Sequence, residues 1–281
     1  MTSDIVQLPE VDHYDGKGGL KIAYRTWFPM GDPKGVVVIV PGFNSHSGFY
    51  HWAATQLTAG GFAVYGVDLR GRGQSDGERF YVDSIDDYVA DVDGVVEIAK
   101  AANPGKKLFL LGHSAGGVVS VNYALDHQEK LAGLISESFA YKVPAPDFAI
   151  AALKGLSHLA PHARVLALSN KDFSRDTTVV ETMDADPLIA HETQPTKTVA
   201  ALARADDRLG REFGKITLPV LIIHGTADKA TKPSGSQEFF DKASSSDKTL
   251  KLYEGHYHDM LNDIGKEIVM GDITAWLDAR V

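Results

Sequence analysis

The segment of this chain best suited to chemistry is Gly112-His113-Ser114-Ala115-Gly116. It follows the apolar run Leu108 to Leu111 and precedes the helix-like stretch Val118 to His127, so a G-x-S-x-G pentapeptide sits between a strand and a helix. There the serine occupies a strained turn, and the flanking glycines remove side chains that would collide with the neighbouring strand and helix. Ser114 Oγ then projects above the carboxyl edge of a sheet, over a helix N-terminus that favours developing negative charge. The chemistry implied is nucleophilic attack through a covalent intermediate. A serine hydroxyl needs a base to take its proton, and the base needs a third group to fix its tautomer. Candidates follow apolar runs further along: Glu137 after Leu131 to Ile135, Asp228 after Val220 to Ile223, and His256 and His258 after Thr249 to Tyr253. A glycine-rich turn without chemistry is the plain alternative; the strand, the helix and these partners weigh against it.

The elements that must position these residues show in the apolar patterning. Leu20 to Trp27 alternates with a period of two, as a half-buried strand does, and is preceded by an extended segment and the turn Asp15 to Gly19. Val36 to Val40 is continuously apolar and β-branched, the mark of a strand covered on both faces. Phe62 to Val67, Leu108 to Leu111, Leu131 to Ile135 and Val220 to Ile223 are of the same kind. Between them, Ile85, Tyr88, Val89, Val92, Val95, Val96 and Ala99 recur at helical spacing behind Ser84, a natural N-cap. Ile264, Ile268, Ile273, Trp276 and Leu277 predict a last amphipathic helix. The alternation predicts an α/β fold with a mostly parallel central sheet and helices on both faces. Residues 139–211 break the alternation: helical patterns punctuated by proline, with no convincing buried strand, and Pro195 placed to open a helix through Leu209. That length is too great for a simple connection, so the expected organisation is a core of residues 1–138 and 212–281 with an inserted helical cap at 139–211.

These segments together resemble the α/β-hydrolase superfamily, and within it the monoacylglycerol lipase group of serine hydrolases. The resemblance rests on Gly42 to Tyr50, Asp68 to Gly77, the serine pentapeptide, Phe173 to Asp176, Ala185 to Leu188, His224 to Asp228 and Tyr253 to His258, and runs from about residue 20 to 265. It implies the chain order serine, acid, histidine, hence Ser114, Asp228 and His258 as the catalytic residues. The motif Tyr253-Glu254-Gly255-His256-Tyr257-His258 favours His258 over His256 as base, with His256 at the site entrance; Glu137 is the alternative acid. The resemblance also implies an oxyanion hole made by the backbone N–H groups of Ala115 and Phe43. Many relatives carry His-Gly in the loop that holds Phe43, where this chain has Pro41-Gly42.

Polar groups that hold the glycerol head in that family fall at positions occupied here by Ser45, Phe49 and Leu261. The replacements predict a less polar, broader alcohol pocket, and a site without those hydrogen bonds discriminates weakly among alcohols. The segment Phe148 to Leu159, including Ile150 and Leu153, is apolar nearly all round and predicts either a buried cap helix or an acyl-pocket wall in transient contact with lipid or micelles. The expected activity is carboxylic-ester hydrolysis on short- to medium-chain or monoacylglycerol-like esters, with no cofactor. The same residues serve thioesterases and C–C hydrolases, and the fold also supports ligand receptors with little turnover.

Composition narrows the rest. The 281 residues hold no cysteine, which excludes disulfides, thiol catalysis and cysteine-built zinc sites. A formal net charge of −9 argues against nucleic acid and anionic membranes as partners. His46, His51, His256 and His258 lack the paired helical spacing of a metal site, so none is expected. Gly71 to Asp76 ends in Asp where a dinucleotide fingerprint needs Gly or Ala. The polar start Met1 to Asp4 and the absence of any ~20-residue apolar run predict a cytoplasmic protein; nothing in the sequence sets an oligomeric state.

Overall fold

A computed structural model describes residues 8–281; the start Met1 to Asp4 lies outside the described residues. In chain order the elements are β1 (Val11–Asp15), β2 (Lys21–Trp27), β3 (Gly35–Val40), α1 (His51–Ala59), β4 (Phe62–Val67), α2 (Ile85–Ala102), β5 (Leu108–His113), α3 (Ala115–His127), β6 (Gly133–Glu137), α4 (Asp147–Leu159), β7 (Arg164–Leu166), α5 (Thr177–Ala185), β8 (Gln194–Pro195), α6 (Thr196–Glu212), β9 (Val220–Gly225), α7 (Pro233–Lys242), β10 (Lys248–Tyr253) and α8 (Lys266–Asp278). Eight strands form one sheet in the order β1-β2-β4-β3-β5-β6-β9-β10. From β4 to β10 neighbours run parallel, while β1 and β2 are antiparallel additions at one edge.

The apolar runs β3, β4, β5 and β9 are buried along their whole length, because helices cover both sheet faces. One apolar layer joins Val36, Val38, Leu110 and Ile222 to Val92, Val96 and Val118 of α2 and α3. The opposite layer joins Val37, Ile39, Leu111 and Ile223 to Leu57 of α1 and Ile273, Trp276 and Leu277 of α8. Each such fully buried aliphatic side chain contributes about 1.5–3 kcal/mol of burial free energy. Ser84 caps α2 by accepting from Asp86 N–H at 3.2 Å.

Several local expectations are corrected. α8 starts at Lys266, after Ile264, and both Ile264 and Ile268 face outward; the buried stripe begins at Val269 instead. Residues 139–211 do contain strands, the short antiparallel pair β7–β8, but it stands apart from the main sheet. Pro195 is the residue before α6, which runs to Glu212. α4 is not covered on several sides. It lies along α6, buries only Ser157 fully, and turns Phe148 and Leu159 outward at 77% and 87% exposure. No helix among the described residues is long and apolar enough to cross a membrane.

Candidate active site

The loops that leave the carboxyl ends of β3, β5, β6, β9 and β10 converge above the middle of the sheet. Among the described residues, five non-glycine residues have positive φ, and three of them, Asn44, Ser114 and Ser138, follow β3, β5 and β6 at this edge. Ser114 sits at φ 56°, ψ −120° immediately before α3, a conformation that costs on the order of 1–3 kcal/mol and persists only where the surroundings impose it. They do so through the backbone: Ser114 N–H donates to the Glu137 carbonyl at 2.9 Å, and the Ser114 carbonyl accepts from Gly117 N–H at 2.9 Å. Close packing completes the constraint, since a Cβ on Gly116 would lie 2.1 Å from the Val40 carbonyl oxygen.

The loop after β3 touches the serine: a Cβ on Gly42 would lie 2.8 Å from Ser114 Cβ and 3.4 Å from Ala115 N. Among the described residues neither Phe43 N–H nor Ala115 N–H has a hydrogen-bond acceptor, so both are available to an oxyanion. The loop is held from outside. Asn44 Nδ2 donates to the Leu168 carbonyl at 3.1 Å and to Asn170 Oδ1 at 2.8 Å, and His46 Nε2 meets Asp186 Oδ2 at 3.0 Å. The Arg72 guanidinium lies 4.3 Å from the centre of the Phe43 ring. It donates to Tyr88 Oη at 3.1 Å, Glu192 Oε1 at 2.5 Å and Gln194 Oε1 at 2.7 Å, all buried.

His258 and Asp228 form a fully buried pair, with Nδ1 to Oδ2 at 2.7 Å. A carboxylate only accepts, so Nδ1 carries the hydrogen and Nε2 is left free to take a proton. Nε2 is buried with no hydrogen-bond partner among the described residues, so the link to Ser114 Oγ is not closed in this arrangement. Such contacts commonly tighten only when substrate is bound. The imidazole is wedged between His113, with ring centres 4.8 Å apart, and the edge of Phe173, also at 4.8 Å. Phe173 further accepts Asp259 N–H on its carbonyl at 2.8 Å, and Arg175 Nε donates to buried Asp263 at 2.9 Å. The Phe173-Ser174-Arg175 segment therefore anchors the turn that carries His258.

Asp228 is densely solvated by the protein. Oδ1 accepts from the N–H groups of Ala230 at 2.8 Å and Thr231 at 2.9 Å. Oδ2 accepts from His258, from Thr231 Oγ1 at 2.7 Å and from His224 Nε2 at 3.0 Å. Burial pushes the carboxyl up, but the attraction of His258 and the hydrogen bonds from His224 and His258 outweigh it and hold it well below the ordinary range. Glu137 makes no such contact with an imidazole in a base's position. Its Oε1 accepts from Leu261 N–H at 3.2 Å, while burial and the nearby charge of Asp259 push its carboxyl well up. Burial also raises Asp259, to about 6. His113, Glu137 and Asp259 thus form a buried cluster whose ligating atoms lie within 4.8 Å of one another. Both His113 nitrogens are already engaged, by Tyr50 Oη at 2.9 Å and the His258 carbonyl at 3.3 Å, and burial and the charge of His258 hold the ring neutral.

The remaining sequence candidates are dispersed. Phe49 is half-buried, meets His46 at a tilt of 56° with ring centres 4.8 Å apart, and packs toward the Phe173, Met183 and Ile189 cluster, one shell from His258. Ser45 is buried in the loop after β3, and Leu261 lies in the apolar layer that α1 and α8 share with the sheet. His256 turns away from Asp228, against Tyr253 at 5.6 Å between ring centres. Ile150 and Leu153 are half-buried on α4, and Phe148, expected as a pocket wall, points outward because α4 presents its other side to α6. Sequence reasoning missed His224, Thr231 and Arg72 as neighbours of the site. A signal for His224 exists: it ends a buried strand four residues before Asp228, at the same sheet edge.

Comparison with known proteins agrees with this architecture. The family model described as serine aminopeptidase, S33, matches residues 31–265. A monoacylglycerol lipase of Mycolicibacterium smegmatis is 33% identical over 94% of this chain and 95% of its own length. The human monoglyceride lipase is 31% identical over 99% of this chain and 94% of its own. The crystal structure of a Paleococcus ferrophilus monoacylglycerol lipase superposes with a TM-score of 0.83 at 31% identity, covering 96% of this chain and all of that one. With the family model spanning most of its length and these relatives spanning nearly all of it, the chain belongs to the serine aminopeptidase S33 family of α/β-hydrolases.

Proposed function

We propose that the protein is a serine carboxylic-ester hydrolase that works through an acyl-enzyme. The observation that supports the reading is a strained serine at the head of α3 and, at the same carboxyl edge of the sheet, a buried imidazole bonded to a buried carboxylate. Ser114 Oγ attacks the ester carbonyl while its proton passes to His258 Nε2. Asp228 keeps the imidazole in the Nδ1–H tautomer and stabilises the imidazolium that forms. The Phe43 and Ala115 N–H groups receive the oxyanion. His258 then protonates the departing alkoxide; a water attacks the acyl group, gives its proton to His258, and the acid leaves as Ser114 is restored.

Residues 139–211 act as a helical cap over a core made of 1–138 and 212–281. Short- to medium-chain and monoacylglycerol-like esters are the substrates, a reading supported by the names of the relatives and by Phe49 beside the apolar cluster next to His258. The outward apolar face of α4 supports transient contact with lipid or micelles. The test is steady-state kinetics on p-nitrophenyl esters, monoacylglycerols, an acyl thioester and an amino-acid p-nitroanilide. Esters should be turned over well and the anilide poorly, and Ser114→Ala should lower kcat by about 10⁴–10⁶-fold. Equal ester hydrolysis with and without Ser114 sinks the mechanism; preference for the anilide sinks the substrate class.

A further inference from the structure

Asp228 carries one imidazole more than its proposed task requires. His224 reaches the same oxygen, Oδ2, that His258 uses, at 3.0 Å against 2.7 Å, and both side chains are fully buried. On its far side His224 Nδ1 meets Ser236 Oγ at 2.7 Å, at the start of α7. The hydrogen assignment follows from the partners. A carboxylate cannot donate, so His224 Nε2 carries the hydrogen, and the neutral ring accepts the Ser236 hydroxyl proton at Nδ1. Burial holds His224 in that neutral form, against the pull of Asp228. The buried chain is therefore Ser236 Oγ–H to His224 Nδ1, His224 Nε2–H between Asp228 Oδ2 at 3.0 Å and Thr231 Oγ1 at 3.3 Å, and His258 Nδ1–H to Asp228 Oδ2.

We infer that His224 is a positioning residue that sets the pH at which His258 works, by competing with it for Asp228 Oδ2. A carboxylate oxygen that already accepts from His224 and Thr231 has less electron density to offer an imidazolium. Each added donor makes the protonated base harder to form and extends activity to lower pH. The other titratable groups facing this trio leave room for that effect. His113 packs on His258 from β5 and is neutral, and Glu137 and Asp259 cluster with His113, with burial raising both carboxyls. Lys229 stays at the surface over the Tyr257 ring.

This inference rests on the ester-hydrolase reading, and its test separates the two. The pH dependence of kcat/KM on a p-nitrophenyl ester is measured for the wild type, His224→Gln, His224→Leu and Thr231→Val. Glutamine reproduces the neutral histidine, with an amide N–H toward Asp228 and a carbonyl toward Ser236; leucine offers neither. The acidic limb should move up by about half to one pH unit in His224→Leu, by a similar or smaller step in Thr231→Val, and stay within about 0.2 unit in His224→Gln. The low-field N–H proton resonance of the His258–Asp228 bond, followed by NMR against pH, should shift its midpoint in the same order and needs no turnover. An acidic limb and NMR midpoint unmoved in His224→Leu, or moved equally in His224→Gln, overturn the inference. Should the leucine variant fail to fold, an unmoved limb in Thr231→Val does the same. If the wild type turns over no ester, the functional reading fails while the NMR series still decides this one.

Discussion

Replacing Asp228 by asparagine changes one oxygen into an NH₂ group, and the structure fixes what that must do. Five donors converge on the carboxylate, three on Oδ2 and two backbone N–H groups on Oδ1. If the amide oxygen faces His258, the new NH₂ confronts Ala230 N–H and Thr231 N–H at 2.8 and 2.9 Å, and two charge-assisted bonds are lost. At ~1.5–3 kcal/mol each the gross loss is about 3–6 kcal/mol, and relief from burying a charge returns part of it, leaving about 2–4 kcal/mol. If the amide flips, its NH₂ faces His258 and favours the tautomer with hydrogen on Nε2, which cannot take the serine proton. Either way turnover falls. Loss of the correct tautomer alone costs about 10⁴ in kcat. Urea unfolding at neutral pH and p-nitrophenyl ester kinetics on Asp228→Asn measure both numbers. A kcat within tenfold of the wild type, with the fold intact, would refute the assignment and return attention to Glu137 as the acid.

Further outcomes follow from other buried groups. Asp259 is raised to about 6 from an ordinary 3.8, so the folded chain binds this proton more tightly than the unfolded one. Its contribution is complete below the unfolded value and is lost as pH rises through about 6, on the order of 2–3 kcal/mol at most. The thermal midpoint of the wild type relative to that of Asp259→Asn should therefore drop between about pH 4 and pH 6.5; identical slopes would discount this carboxyl. Arg72→Lys removes the planar fork that serves Tyr88, Glu192 and Gln194 and the cover over Phe43. Stability should drop by about 3–5 kcal/mol, and kcat should suffer about tenfold while KM moves little, because the Phe43 N–H loses its support. A larger change in KM than in kcat would place Arg72 on the binding side instead.

What the sequence made legible is what periodicity and local motif encode. Val36 to Val40 and Val220 to Ile223 read as buried strands because burial on both faces leaves no polar alternation. The serine pentapeptide announced its own turn, since Gly112 packs on Gly116 and Ser120 of the same strand–turn–helix unit, although Gly116 is required by Val40 and Pro41 from across the fold. Pairings across the fold were less accessible. His224 carries a local hint, its place in a buried strand four residues before Asp228, but nothing local shows that its imidazole meets Asp228 while that of His256 packs on Tyr253. Glu137 looked like a spare acid at the end of a strand; only the turn after His258, folding back to place Leu261 N–H against it, shows its occupation. α4 misled for a different reason. Apolar residues all round a helix signal burial, but a helix can be apolar and still pack mainly against one neighbour, here α6.

The ties between the loop after β3 and residues 139–211 constrain how such a protein can be rebuilt. Exchange of this segment for another sequence looks like a modular route to new substrates, with the rest of the chain untouched. Here the seam is not neutral: Asn44 depends on Leu168 and Asn170, His46 on Asp186, and Arg72 on Glu192 and Gln194. A transplanted segment lacking Glu192 would leave a guanidinium buried beneath Phe43 without its counter-charge, a defect of about 3–5 kcal/mol set against a domain's whole margin of 5–15 kcal/mol. The portable unit in this protein is the 139–211 segment together with its core partners at Asn44, His46 and Arg72, and the two must be inherited as one.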